Sequence, residues 1–182
     1  MDLYEEISLF DVSLLTNLQK VIKAEAGRIE QEKEIEIEIF NQSNCQCAGE
    51  AYEFSMDQRL KTEFQNDFVE LGAELLIIGL YKQCELYFKV LVNEYHPTKS
   101  NTVKKVLRSL KDSLPHYDSI NELRLINNCI KHAGVVSSSL ANEYTTWNVD
   151  EPLGSLLPVY ERLVTNVRRY VREHELYIKQ YA

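Results

Sequence analysis

The chain has 182 residues, of which 45% are hydrophobic and 26% are charged, and its formal net charge is −8. A chain of this length buries an adequate core as one domain without disulfides or a structural metal. Its longest apolar run, residues 75–81, is far too short to cross a membrane, and the acidic start M-D-L-Y-E-E lacks the pattern of a signal peptide. We therefore expect a single domain without a membrane span.

The cysteines do not have the spacing of a zinc site. Cys45 and Cys47 are separated by one residue where a zinc knuckle needs two or more, and no second pair follows. Cys84 and Cys129 fall in apolar segments of helical pattern. Free and mostly buried thiols are typical of a reducing compartment, so we expect a cytoplasmic protein without a metal or other cofactor.

Charge is distributed unevenly along the chain. Residues 1–95 hold 8 basic and 19 acidic side chains, whereas residues 96–182 hold 12 basic and 9 acidic ones. The segment 96–111 contains five cations and no acidic residue, and these cations are Lys99, Lys104, Lys105, Arg108 and Lys111. The cluster suits a surface that faces phosphate groups, although solubility charge that balances the acidic half is an alternative explanation.

The first predicted element is a helix over residues 12–40, where apolar residues recur at three- and four-residue steps. Within it, residues 34–39 alternate Glu and Ile, which by itself is typical of a half-buried strand. We predict helix here because no second strand pattern exists to pair with it, and unpaired backbone groups are costly. The polar residues 41–49 then predict a loop.

The longest predicted element is a helix over residues 51–95, which contains no proline. Much of its C-terminal half is apolar on two faces, which is typical of a helix in the middle of a bundle. Its carboxylates Glu74 and Glu85 are expected at the edge of the bundle, with a pairing of Glu85 to Arg124 as the alternative. A short basic helix over residues 102–114 is predicted to follow.

The helix predicted over residues 119–134 has clear end signals. Ser119 and Glu122 have the spacing of a capping box, and Gly134 stands where a helix ends in a left-handed residue. One face is apolar, and the other carries what we term the polar row, which consists of Arg124, Asn128, Lys131 and His132. The row is either the solvated side of an amphipathic helix or a site that combines cations, an amide and a titratable imidazole.

Residues 135–153 are rich in Ser, Thr and Asn and predict a long ordered loop, with Trp147 as its one large anchor. Residues 154–182 predict a final helix, on which His174 falls among charged residues. We thus expect an all-α bundle of about five helices. It would comprise an N-terminal helical extension (residues 1–50), a core with the polar row (51–134), the loop and the C-terminal helix.

The polar row holds a minimal set of groups for cleaving RNA without a metal. A neutral imidazole near a permanent cation can take a proton from the attacking 2′-hydroxyl, while guanidinium and amide donors stabilise the phosphate. The sequence contains no glycine-rich phosphate loop and none of the common hydrolase or zinc signatures. The row is therefore the strongest candidate site that the sequence offers.

Two motifs resemble the HEPN superfamily of small helical-bundle proteins. They are L-Y-x-x-x-E at residues 80–85 and L-R-L-I-N-N-C-I-K-H at residues 123–132. HEPN proteins carry an arginine, usually four to six residues before a histidine, often as R-N-x-x-x-H. Asn128 and His132 match the second part of that pattern, whereas Asn127 stands at the arginine position and Arg124 lies one turn earlier.

The resemblance implies a metal-independent endoribonuclease of a toxin–antitoxin or antiviral defence system, with Arg124, Asn128 and His132 as catalytic residues. It also implies a homodimer whose motif helices face each other, and an antitoxin or effector as protein partner. The side chains that we expect to contact RNA are Lys131, Asn127, Lys104, Lys105 and Arg108. The alternative is a non-catalytic dimeric HEPN-like module that uses the same face and the 135–153 segment to bind a protein or RNA.

Overall fold

The computed structural model describes residues 10–43, 47–95, 114–132 and 134–181, and the side chains of all of these except 91–95 and 178–181. They form five helices, which are α1 (Ser13–Gln42), α2 (Ala48–Tyr95), α3 (Tyr117–His132), α4 (Ser138–Glu143) and α5 (Leu156–Tyr181). Within these ranges the only strand-like feature is an isolated bridge between Val135 and Pro152. The prediction of an all-α helical bundle is therefore confirmed.

The number of helices agrees with the expected one, but the set differs. The basic helix predicted over residues 102–114 lies outside the described residues except for Leu114, which is buried. The fifth described helix is α4, which lies within the segment that we predicted to be a loop.

Helices α1 and α2 form an antiparallel hairpin with a close approach of their backbones. Ile22 packs over Gly72 and Leu15 packs over Gly79, where an added Cβ would lie only 2.6 Å from the nearest carbon of either side chain. The N-terminal half of α1 belongs to the common core, since Leu15 and Ile22 are buried in it. Gln19 also donates a hydrogen bond of 2.9 Å to Glu161 of α5.

The alternating Glu and Ile residues of the segment 34–39 are helical, as predicted. A two-residue repeat does not follow the turn of a helix, so the isoleucines spread around the axis. Ile35, Ile37 and Ile39 are all exposed. Beyond them the hairpin is closed by Phe40, which stacks on Phe54 with ring centroids 4.1 Å apart.

Helix α2 is the central helix of the bundle, because it contacts α1, α3 and α5. It buries residues on two faces, as predicted, and these are Ala73, Leu76, Ile77, Leu80, Tyr81, Cys84, Tyr87 and Phe88. Helix α3 contacts α2, α4 and α5, so its packing face is enclosed while the opposite face stays open.

Helix α3 begins at Tyr117, two residues before the predicted start, and the expected capping box is wrong. The carboxylate of Glu122 accepts hydrogen bonds from Arg162 of α5 instead of reaching back toward Ser119. The predicted end is confirmed, since Gly134 has a φ of 68°, a conformation that glycine adopts without steric cost.

The segment 135–153 contains fewer residues without regular structure than predicted, because it includes α4. The hydroxyl of Ser137 caps this helix by accepting a hydrogen bond of 3.3 Å from the N–H of Leu140. The ends of the segment are joined, since the N–H of Val136 donates to the carbonyl of Glu151 at 2.9 Å. The segment is therefore ordered, as expected, but it contains a short helix where only a loop was predicted.

Helix α5 begins at Leu156, just after Gly154, whose φ of 65° is incompatible with the helix. His174 does not lie among charged residues in the fold: it is 2% exposed and packs against Tyr87, Phe88 and Tyr170. Its position follows Val167 and Val171 by seven and three residues, so it shares their buried side of the helix. Leu176 on the same helix is instead 47% exposed.

Candidate functional site

The polar row lies on the open face of α3. Asn128, Lys131 and His132 are exposed and Arg124 is partly buried, whereas Leu123 and Ile126 on the packing face are inaccessible. Helix geometry places the eight-residue step from Arg124 to His132 at about 12 Å along the axis. A partner can therefore reach the whole row, but its two ends are far apart.

Tyr81 of α2 provides the aromatic surface beside the row. The Nζ atom of Lys131 lies 5.7 Å from the centroid of its ring, a distance typical of a cation–π contact. Burial raises the pKa of the Tyr81 phenol, Glu85 adds to the rise, and the charge of Arg124 opposes it. The phenol is therefore neutral at physiological pH, and both cations of the row lie in its neighbourhood.

Glu85, the last residue of the L-Y-x-x-x-E motif, pairs within its own helix. Its carboxylate lies 3.1 Å from the Nζ atom of Lys82, and its side chain is 24% exposed. The Nη2 atom of Arg124 instead donates a hydrogen bond of 2.8 Å to the Oδ1 atom of Asn121. Among the described residues, the alternative pairing of Glu85 with Arg124 is thus not formed.

Asn127 is not part of the open face, although we expected it among the RNA contacts. It is 0% exposed, and neither its amide nitrogen nor its amide oxygen has a hydrogen-bond partner. The position at which the HEPN pattern has its arginine, residue 127, therefore points into the fold and not toward the open face. The other expected RNA contacts, Lys104, Lys105 and Arg108, lie outside the described residues.

A second polar cluster joins α3 to α5 and to the 135–153 segment, and the sequence pattern alone did not predict it. The buried carboxylate of Glu122 accepts hydrogen bonds of 2.7 and 2.8 Å from Arg162. It also accepts one of 3.1 Å from the indole N–H of Trp147. The hydrogen bonds between Arg162 and Glu122 raise the pKa of the guanidinium and so favour its charged form. The arginines of α5 were the signal in the sequence that could have indicated this pair, because a buried glutamate needs a cation as its partner.

The same cluster positions the arginine of the polar row. Asn121, which accepts the hydrogen bond from Arg124, donates to Glu143 at 3.0 Å and to the hydroxyl of Tyr144 at 3.2 Å. That hydroxyl in turn donates to the carbonyl of Asp118 at 2.7 Å, and burial raises its pKa to about 12. The guanidinium of Arg124 is therefore oriented by the segment that follows α3.

Other chemistry has little support in the described part of the chain. It contains no group of three or more His, Cys, Asp or Glu side chains arranged to hold a metal ion. Of its cysteines, Cys84 and Cys129 are buried and Cys47 is exposed, all as free thiols. None of the described helices combines the length and the apolar character needed to cross a membrane.

Comparison with protein-family models, with curated proteins and with solved structures gives no match to this chain. The HEPN resemblance therefore stays a prediction that depends on residues 80–85 and 123–132. The geometry of the polar row, Tyr81 and the Asn121 contact does not depend on that resemblance.

Proposed function

We propose that the chain is a cytoplasmic, HEPN-like, non-catalytic module that dimerises through α3 and binds an RNA strand along the polar row. The observation that carries the proposal is the direction of the Arg124 guanidinium, which donates a hydrogen bond to Asn121, three residues before it, whereas His132 lies about 12 Å further along the helix axis in the other direction. An acid–base group and a phosphate clamp act on one phosphodiester only at hydrogen-bond distance, so the two residues of one chain do not form such a site. Buried Asn127 at the nearer position does not supply the missing cation.

Charge supports RNA as the ligand. Residues 123–132 contain an arginine, a lysine and a histidine and no acidic residue, and the neighbouring segment 96–111 adds five cations. Phosphate contacts need reachable cations, not a fixed catalytic geometry. Exposed Lys131 and partly exposed Arg124 meet this requirement.

The packing of α3 supports a dimer. Its buried face is already enclosed by α2, α4 and α5, so the polar row is free to pair with a second copy. Two facing rows double the number of cations along one RNA strand, and the phosphates of that strand offset the repulsion between the two rows. Avidity then strengthens weak phosphate contacts. The folded 135–153 segment, which orients Arg124 through Asn121, is the surface that we assign to an antitoxin or effector.

The experiment compares two lysine variants in binding to a labelled single-stranded RNA, followed by fluorescence anisotropy over a range of salt. Lys131→Ala removes an exposed cation of the row, and Lys20→Ala removes an exposed cation of α1. We expect only Lys131→Ala to weaken binding and to lower the salt slope, by about 1 for each phosphate that the variant no longer neutralises. Equal effects of the two variants would contradict the proposal.

A specific observation also favours a second candidate, the metal-independent endoribonuclease. The exposed imidazole of His132 shares the open face with Arg124, so in a facing dimer the His of one copy and the Arg of the other can meet across the cleft. Cleavage would then persist in a chelator and leave 2′,3′-cyclic phosphate ends. His132→Ala would abolish it, Arg124→Ala would do nearly as much, and Asn127→Ala less.

A further inference from the structure

One side of the α1–α2 hairpin is apolar and open to solvent. Its residues are each at least 50% exposed, and they are Val21 and Ile35 of α1 and Leu60, Phe64, Leu71 and Leu75 of α2. We term this set the hairpin face. Single exposed apolar residues are normal on a soluble protein, but several that share one side of a helix pair mark an interaction site.

The residues of the hairpin face lie on the same side because of their register. In α1, Val21 comes directly before Ile22, which packs on α2, and in α2, Leu71 comes directly before Gly72, which receives Ile22. Antiparallel helices are related by a two-fold axis perpendicular to their common plane. The residue one step before the contact therefore points to the same side in both helices.

At two further contacts along the hairpin, the exposed apolar residue again comes directly before the residue that contacts the other helix. Phe64 precedes Gln65, whose amide donates to the carbonyl of Ala26 at 2.8 Å, and Ile35 precedes Glu36, which accepts from Gln58 at 2.8 Å. From Leu60 to Leu75 the face extends for about 22 Å, or about four helical turns. That length accommodates one amphipathic helix laid along the groove between α1 and α2.

A row of carboxylates borders the hairpin face on α2. Glu63, Asp67, Glu70 and Glu74 have the spacing i, i+4, i+7, i+11, so they share one flank of the helix, about 80° around the axis from the apolar residues. Among the described residues, Glu63 pairs with Arg59, whereas Asp67, Glu70 and Glu74 form no ion pair. Residues 50–75 hold 7 acidic and 2 basic side chains in all. On the α1 side, Arg28 is already paired with Glu25 and Glu32.

We propose that the hairpin face binds a basic amphipathic helix of a partner protein. The apolar side of that helix would cover Leu60, Phe64 and Leu71, and its Lys or Arg side chains would pair with the unpaired carboxylates. A second copy of this chain fits less well, because it would bring one acidic row toward another, and like charges repel across an interface. The surface is separate from the polar row, since α3 contacts α2, α4 and α5 but not α1.

The test uses two labelled synthetic peptides of about five helical turns, with full-length protein and fluorescence anisotropy as the readout. Both peptides carry the same leucine stripe, and they differ only in having Lys or Glu at the flanking positions. We expect the basic peptide to bind, more weakly at higher salt, and the acidic peptide not to bind. Phe64→Ser and Leu71→Ser should each weaken binding about tenfold or more.

Two controls distinguish binding at the hairpin face from nonspecific hydrophobic binding and from a loss of folded structure in the variants. Leu176→Ser removes a leucine of α5 that is 47% exposed, and it should bind the basic peptide as the wild type does. The pair Asp67→Asn with Glu74→Gln should weaken binding and flatten its salt dependence, with an unchanged circular dichroism spectrum. Equal binding of both peptides, no binding of either, or a dimer that Phe64→Ser dissociates would overturn the proposal.

Discussion

At the scale of single residues, the core encloses polar side chains that its packing does not fully satisfy, among them those of His174 and Asn127. The Nδ1 atom of His174 and both amide atoms of Asn127 are buried without a hydrogen-bond partner. An unsatisfied buried polar group costs about 1–3 kcal/mol relative to one that is paired. These residues therefore lower the stability of the fold, and substitutions can measure by how much.

His174 makes stability depend on pH. Burial lowers its pKa from 6.5 to about 4, so protonation favours the unfolded chain. The free energy of unfolding is thus highest above about pH 6.5 and falls as the pH drops toward 4, by on the order of 3 kcal/mol from this group. Urea unfolding at pH 7 and at pH 4.5 measures the loss, and His174→Phe should show a smaller one. A loss of the same size in the variant would contradict this assignment.

Asn127 offers a test of whether its amide is truly unpaired. We expect Asn127→Leu, which exchanges the amide for an apolar group of similar size, to raise the free energy of unfolding by about 1–3 kcal/mol. Asn128→Leu on the exposed side of the same helix is the control, with an effect within about 0.5 kcal/mol. Destabilisation by Asn127→Leu in urea unfolding would mean that the buried amide has a partner.

At the scale of helices, the hairpin depends on two glycines that admit side chains of α1. In Gly72→Ala, the new Cβ would lie 2.6 and 2.8 Å from two carbons of buried Ile22, whereas Gly27→Ala would meet nothing within 4 Å. We expect the former to destabilise the protein by about 1–3 kcal/mol and the latter to stabilise it by about 0.5–1 kcal/mol. Thermal unfolding of both variants measures the difference. Stabilisation by Gly72→Ala would show that the helices separate easily.

Helix periodicity predicted the long elements because apolar spacing is a local property. Both faces of α2, the outward side of α3 and the left-handed Gly134 that follows α3 could all be predicted in this way. The long-range partners of individual side chains could not be predicted from this spacing. The spacing of Ser119 and Glu122 suggested a cap, but the choice of Arg162 by Glu122 depends on how α3 and α5 pack. Likewise, the outward or inward direction of Asn127 and His174 was decided by neighbouring helices.

At the scale of the whole molecule, the proposed RNA cleft requires two copies. Light scattering at micromolar concentration should report twice the chain mass of 21.2 kDa. Asn128→Lys, which adds a like charge to each of the two facing rows, should shift the equilibrium toward the monomer, while Gln31→Lys at an exposed position of α1 should not. A wild type that stays monomeric at these concentrations would remove the shared cleft.

The fate of the RNA tests the central proposal most directly. Wild-type protein at high concentration is incubated in a chelator with end-labelled RNA that contains single-stranded and structured parts, and one sample is used for both a binding curve and a sequencing gel. We expect saturable binding and recovery of the RNA at full length. Fragments with 2′,3′-cyclic phosphate ends that disappear in His132→Ala would contradict the non-catalytic module and establish the nuclease, and an absence of binding would contradict both.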